Sequence, residues 1–202
     1  MIDDDKNKLY SRINSSYKID KTCKRYFTVG HRHNSTITKR IDWFVSKVNG
    51  PKVLDVGCGC GLVCYLASKN DNIKEIYGID VREESIKHAI DLNIENIKTK
   101  FSIGFAEDLK FEDNYFDCVV MGGILGFVFD ENIAIKEVFR VLKPGGKIII
   151  SVPYGGGLAH CRVRTFEEID LKKLIKPMFN IEEFFTTMEI ITKIYCVGRK
   201  IK

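Results

Sequence analysis

Val53-Leu54-Asp55-Val56-Gly57-Cys58-Gly59-Cys60-Gly61 decides the fold of this chain. A short apolar run ends in a carboxylate and opens into glycines at every second position. About twenty residues on, a second apolar run, Ile76-Tyr77-Gly78-Ile79, ends in Asp80. A glycine loop paired with an acidic strand end is how an α/β protein grips a ribose-bearing cofactor. The glycines let the backbone come close, and the carboxylate accepts hydrogen bonds from the ribose hydroxyls.

The glycine spacing narrows the cofactor. Dinucleotide sites use Gly-x-Gly-x-x-Gly and set a helix N-terminus against a pyrophosphate. Here Gly57-x-Gly59-x-Gly61 is tighter and is headed by Asp55. A carboxylate there would repel a pyrophosphate but accept hydrogen bonds from an ammonium group or an ordered water. These residues suit a cofactor with an amino-acid end and no phosphate.

Outward from this loop the chain alternates strands with helices. Strands are expected at 52–57, 75–80, 99–103, 116–121 and 146–152, and helices at 61–69, 83–93 and 131–141. Apolar strands separated by such helices imply right-handed β-α-β units and a parallel sheet covered on both faces. Pro144-Gly145-Gly146 reads as the turn that stops the third helix and releases the fifth strand. A helix at 167–175 precedes two β-rich runs, 179–188 and 190–200, too close for a crossover, so they are expected to pair antiparallel. Upstream, Ile37, Ile41, Phe44, Val45 and Val48 mark an amphipathic helix over 35–48, with Ser35 as N-cap and Gly50-Pro51 as its end. Residues 1–33 are polar and are expected to hold a short helix and an irregular stretch.

The 202 residues, 45% hydrophobic and 29% charged, fit one globular domain with a sizeable core. No apolar run reaches the roughly 18 residues of a membrane span, and the acidic N-terminus is unlike a secretory signal. Most of the seven cysteines sit in apolar runs, as expected of reduced thiols in a cytoplasmic protein. The net charge of +5 is uneven: residues 1–50 carry 11 basic and 5 acidic groups, 51–157 carry 12 and 16, and 158–202 carry 9 and 6. The basic flanks read as solvated surface, although nucleic acid or an anionic substrate would also favour them. Cys58-x-Cys60-x3-Cys64 lacks the paired Cys-x2-Cys spacing of a zinc site, so no metal is expected.

The chain resembles the class I S-adenosylmethionine-dependent methyltransferases, in a small-molecule, type 11-like branch. Five stretches carry the resemblance in order: Val53–Gly61, Gly78-Ile79-Asp80-Val81, Ile103–Leu109, Phe116–Met121 and Glu137–Gly146. It implies a Rossmann-like seven-stranded sheet, five strands parallel and the last two an antiparallel hairpin, with helices on both faces. It further implies an N-terminal helical lid over 1–50, a cofactor-binding core over 51–153, and a substrate loop, helix and hairpin over 154–202.

S-adenosylmethionine would then lie on Asp55, Val56, Gly57, Cys58, Gly59 and Gly61, leaving S-adenosylhomocysteine as product. Asp80 and Val81 would hold its ribose and adenine, Phe105, Ala106 and Glu107 would border the ring, and Met121 and Gly122 the sulfonium. Two departures stand out. Phe105 replaces an Asp or Asn able to accept from the adenine amino group, leaving that task to Glu107 or a backbone carbonyl, or the adenine to be held mainly by packing. Gly126-Phe127 stands where many relatives carry Glu-His.

Methyl transfer is an in-line displacement, so the protein mainly supplies position and a dry pocket, with a base only where the acceptor must lose a proton. His160, in the glycine-rich loop after the fifth strand, is the candidate base. Tyr154, Arg162 and Arg164 from that loop and Tyr26, His31, Arg32 and His33 from the lid are the candidate acceptor contacts. The expected activity is methyl transfer to an oxygen or nitrogen of a small molecule. The alternatives are an RNA or protein methyltransferase and a catalytically inactive cofactor-binding partner subunit.

Overall fold

The computed structural model describes residues 36–93, 95–155, 163–187 and 192–201. The helix and irregular stretch expected in 1–33, and the Ser35 cap, lie outside them. The described elements are α1 Thr36–Lys47, β1 Lys52–Val56, α2 Leu62–Ala67, β2 Glu75–Asp80, α3 Glu83–Leu92 and β3 Thr99–Ile103. They continue with β4 Phe116–Gly122, α4 Glu131–Val141, β5 Leu142–Pro153, α5 Glu168–Ile175, β6 Phe179–Thr187 and β7 Lys193–Lys200.

The seven strands form one sheet in the order β3-β2-β1-β4-β5-β7-β6. β1 to β5 pair in parallel, and β7 runs antiparallel between β5 and β6. Chain direction reverses its lateral progress at β1, so β1 and β4 lead their loops apart and leave a crevice at their C-terminal ends.

Strand alternation sends successive side chains to opposite faces. Leu54, Val119, Ile148, Ile150, Ile194 and Cys196 pack under α4 and α5. Val53, Cys118, Val120, Ile149 and Val197 pack under α1 and α2 with Phe44, Val48 and Cys64. Trp43 of α1 meets Tyr195 and Phe185 edge-on, at 4.8 and 5.8 Å between ring centres, which fixes α1 across the hairpin. Lys47 anchors the same helix to Glu183 of β6 at 2.5 Å.

The expected turn at Pro144-Gly145-Gly146 is instead absorbed into β5. Leu142 already pairs with Phe116, and pairing resumes at Lys147 with Cys118, so residues 143–146 bulge opposite Asp117 alone. Asp117 stabilises the bulge by accepting from Lys143 Nζ at 2.6 Å and from the Lys52 amide at 2.9 Å. Among the described residues no helix is long and apolar enough to cross a membrane.

Asp130 caps α4, its carboxylate accepting from the amides of Asn132 and Ile133 at 2.8 and 3.2 Å. The Ile133 amide bond, followed by the Asn132 bond, holds the Asp130 carboxyl below its usual 3.8. An N-cap of this kind contributes about 1 kcal/mol. Asp130→Ala is therefore expected to lower unfolding free energy by about 1 kcal/mol in denaturant titrations. Because the folded pKa is depressed, the charge-dependent part of that difference is present above the ordinary carboxylate range and shrinks as pH falls through the folded value.

Candidate functional site

The loop after β1 folds back on the end of β2. The Gly57 and Cys58 amides both donate to the Ile79 carbonyl, at 2.8 and 2.9 Å, and the Gly59 amide donates to Asp80 Oδ2 at 3.0 Å. Gly57 needs to be glycine on two counts: its φ is +73°, and a Cβ would stand 2.8 Å from Ile124 Cδ1. Gly59, at φ +54°, has open space where a Cβ would project, so its bare backbone borders a cavity.

Asp80 is almost fully buried and its second oxygen accepts from the Arg82 amide at 3.0 Å and from Arg82 Nε at 3.3 Å. Asp55 is as deeply buried but has no cationic partner among the described residues. Its hydrogen bond comes from the Cys64 thiol, Sγ to Oδ2 3.6 Å. Burial, reinforced by the nearby Asp80 charge and opposed by the Cys64 bond, pushes the Asp55 carboxyl up from 3.8 to about 7. The neighbouring Cys58 and Cys64 thiols are pushed up as well, first by burial and then by the Asp55 charge. Both therefore stay protonated and act as small apolar groups.

Two clefts meet over this loop. The larger, about 740 Å³ including its solvent-open part, runs from Asp80, Val81 and Arg82 past Ala106 and Glu107 to Phe127. The other, about 630 Å³, lies between α1 and the glycine loop, where Arg40, Phe44 and Asp55 face one another. Gly57, Gly59, Arg82 and Gly122 line both, so the two are lobes of one channel with Asp55 at one end and Glu107 at the other.

The structure thus brings together Asp55, Val56, Gly57, Cys58, Gly59, Asp80, Val81, Ala106, Glu107 and Gly122. Gly61 lines neither lobe; at φ +73° it begins α2 and donates its amide to the Cys58 carbonyl at 3.0 Å. Met121 is fully buried in the core beneath the cleft, and Phe105, half-exposed, is absent from its walls. Glu107 accepts from the Phe129 amide at 2.6 Å, which fixes one of its oxygens.

Tyr154 hydrogen-bonds Glu167, whose charge raises its pKa, and Arg164 is ion-paired with Glu131; neither lines the channel. His160, Arg162, Tyr26, His31, Arg32 and His33 lie outside the described residues. Gly126 is explained by packing: a Cβ there would stand 2.6 Å from Val163 Cγ1 and 2.7 Å from the Arg164 carbonyl. The segment bearing Arg164 occupies the space a Glu side chain would need.

Sequence reading missed Arg82, which follows the acidic strand end by two residues and braces it. It also missed Arg40, although Arg40 stands one helical turn before Phe44 and so shares its side of α1. Among the described residues no group of three His, Cys, Asp or Glu side chains is arranged to hold a metal ion. Cys58, Cys64, Cys118 and Cys196 are free thiols, whereas Cys60 is disulfide-bonded. The expectation of reduced cysteines therefore fails at Cys60.

Comparison with known proteins places this geometry. Residues 54–150 match the family model described as a methyltransferase domain. The chain is 40% identical over 101 residues to demethylmenaquinone methyltransferase of Staphylococcus aureus, a match covering 50% of this chain and 42% of that protein. It therefore spans less than half the length of the curated relatives it matches. The [4+2]-cyclase SpnF superposes with TM-score 0.74 at 20% identity, over 82% of this chain and 81% of that one. A Methanosarcina mazei protein described as an S-adenosylmethionine-dependent methyltransferase superposes with TM-score 0.64 at 24% identity, over 83% and 98% of the two chains. At these identities the likenesses speak for fold, and SpnF shows that the fold also carries other chemistry. Carrying the seven-stranded order, the chain has the Rossmann-like fold of the class I S-adenosylmethionine-dependent methyltransferases, and its residues 54–150 match the methyltransferase domain family.

Proposed function

We propose that the protein transfers the methyl group of S-adenosylmethionine to an oxygen or nitrogen of a small-molecule acceptor. The observation that carries this reading is Asp55, a carboxylate buried at the head of a glycine loop and ion-paired with no cation among the described residues. Burying such a group is unfavourable unless a partner arrives. The ammonium group of a methionine moiety is a partner of the right charge, and the open backbone at Gly59 leaves room for the chain that bears it. At the far end Asp80 retains lone pairs for a ribose diol, and Val81 and Ala106 offer apolar walls to an adenine.

S-adenosylmethionine, when bound, supplies a methyl group already activated on a sulfonium. The protein's share is orientation and exclusion of water. Asp55 holds the ammonium, Asp80 the ribose, and Glu107 or a nearby carbonyl the adenine amino group. Gly122, which lines both lobes with Phe44 standing 3.4 Å from where its Cβ would be, keeps the middle of the channel narrow and apolar. His160 is proposed as the base where the acceptor must lose a proton. The similarity to a demethylmenaquinone methyltransferase of Staphylococcus aureus supports a small-molecule acceptor.

Titration calorimetry with S-adenosylhomocysteine tests the cofactor assignment. The wild type is expected to bind, and Asp80→Ala to weaken binding by roughly 100-fold, the equivalent of two hydrogen bonds to a charged group. No binding by folded wild-type protein sinks the proposal. Incubating the protein with radiolabelled cofactor and fractionated small metabolites is expected to label at least one fraction.

Asp55 gives a second test. Its carboxyl is protonated below about 7 in the free protein, and the incoming ammonium favours the ionised form. Binding at pH 6 is therefore expected to release up to about one proton, read from calorimetry in buffers of different ionisation heat, and at pH 8.5 none. Affinity should climb with pH up to about 7 and then level. Asp55→Asn should abolish the release and weaken binding roughly ten- to a hundred-fold.

The sign for stability is opposite. A carboxyl raised on folding destabilises the free protein increasingly as pH rises from 3.8 to about 7. Asp55→Asn is thus expected to stabilise the free protein at pH 8 by at most roughly 4 kcal/mol of unfolding free energy, read as a higher melting temperature.

A further inference from the structure

Two cations converge above Gly123, at the C-terminal edge of the sheet and next to the glycine that lines both lobes of the channel. Lys193 Nζ lies 3.7 Å, and Arg40 Nη1 4.0 Å, from the point where a Cβ on Gly123 would stand. They arrive there from separate elements by the same geometry. Lys193 is two residues before Tyr195 on β7, and Arg40 is one turn before Phe44 on α1. Tyr195 and Phe44 both pack on Trp43. The aromatic cluster that docks α1 on the hairpin therefore also points both cations at one spot.

Neither cation is satisfied there. Among the described residues, no carboxylate pairs with Lys193 or Arg40, and Arg40 Nε is buried without a hydrogen-bond partner. Lys193 is only 9% exposed. Burial, with the Arg40 charge adding to it, pulls the Lys193 ammonium down from 10.5 to about 8. A lysine at the start of a strand has a long stem that reaches water readily. Holding it under cover beside a second cation is unfavourable unless an anion completes the group.

Asp55 and Arg40 already face each other across the lobe assigned to the methionine end of the cofactor, so Arg40 borders both ligands. Lys193 lines neither lobe and stands at Gly123, one residue from the glycine that lines both. We propose that Lys193, with Arg40 beside it, binds an oxyanion of the methyl acceptor, so that the acceptor is a molecule bearing a carboxylate or an ionised hydroxyl. This rests on the methyltransferase reading above. Lys193 acts by charge: it holds the anionic oxygen near the sulfonium and rejects neutral and cationic acceptors.

The test uses 4-nitrophenol, whose ionised form absorbs visible light, titrated against the full-length protein saturated with S-adenosylhomocysteine. The wild type is expected to enrich the phenolate near pH 7. Lys193→Met is expected to weaken dye binding at least ten-fold, and Lys193→Arg to retain most of it. Melting curves verify that Lys193→Met is folded, and removal of an uncompensated buried charge favours that. S-adenosylhomocysteine and 5′-methylthioadenosine, which lacks the amino-acid end, are titrated in parallel. Both should bind Lys193→Met as they bind the wild type. Unchanged dye affinity in Lys193→Met, or no dye binding by the wild-type complex, overturns the proposal. So does selective loss of S-adenosylhomocysteine, which would assign Lys193 to the cofactor's own carboxylate. Failure of the wild type to bind S-adenosylhomocysteine at all is a different result, and counts against the methyltransferase reading itself.

Discussion

The carboxylate of Asp80 holds the site in shape. One oxygen takes the Gly59 amide at 3.0 Å and the other takes the amide and guanidinium of Arg82. These bonds tie the loop after β1 to the end of β2, so the two strand ends cannot drift apart. Hydrogen bonds to an ionised group are about twice as strong as neutral ones, and burial strengthens them further. With the loop fixed, Gly59 presents bare backbone to the channel and Asp55 lines one end of it. The residue that would hold a ribose is thus already engaged in holding the loop, and a ligand there adds bonds to a preformed frame.

The sheet provides the second constraint. β1 and β4 are neighbours in space though far apart in sequence, and the crevice between their ends is a consequence of strand order alone. The two faces then divide the work. α4 and α5 seal one side with an apolar core. The other side carries α1, which brings Arg40 and Phe44 to the channel.

Much of this was legible from residues. Strand periodicity and the short gap between the last two β-rich runs predict parallel strands finished by an antiparallel hairpin, because each depends on local pattern, whereas the order of the strands across the sheet does not. The boundaries at α4 agree because Asp130 is a strong cap. The β5 start was misplaced because the Pro-Gly-Gly stretch reads as a stop. Only tertiary contact with Asp117 turns it into a bulge. Arg40, Arg82 and Lys193 escaped for a related reason. Each is an ordinary surface residue by type, and its importance arises from what the fold sets beside it. Phe105 illustrates the converse: its position in a motif-like stretch singled it out, yet the chain turns it outward.

The placement of β7 has a consequence for how the molecule is made. It comes after β6 in sequence, but it lies between β5 and β6, with Ile194 and Cys196 fully buried. During synthesis β5 therefore waits with an unpaired edge until the strand that covers it has emerged, and β6 must be held in reserve. Strand edges left open in this way are prone to pair with other chains. The order in which the ribosome delivers the chain thus runs against the order of the sheet. Lys193, at the head of β7, arrives only with that strand, so the edge of the sheet beside the channel closes no earlier than the delivery of β7.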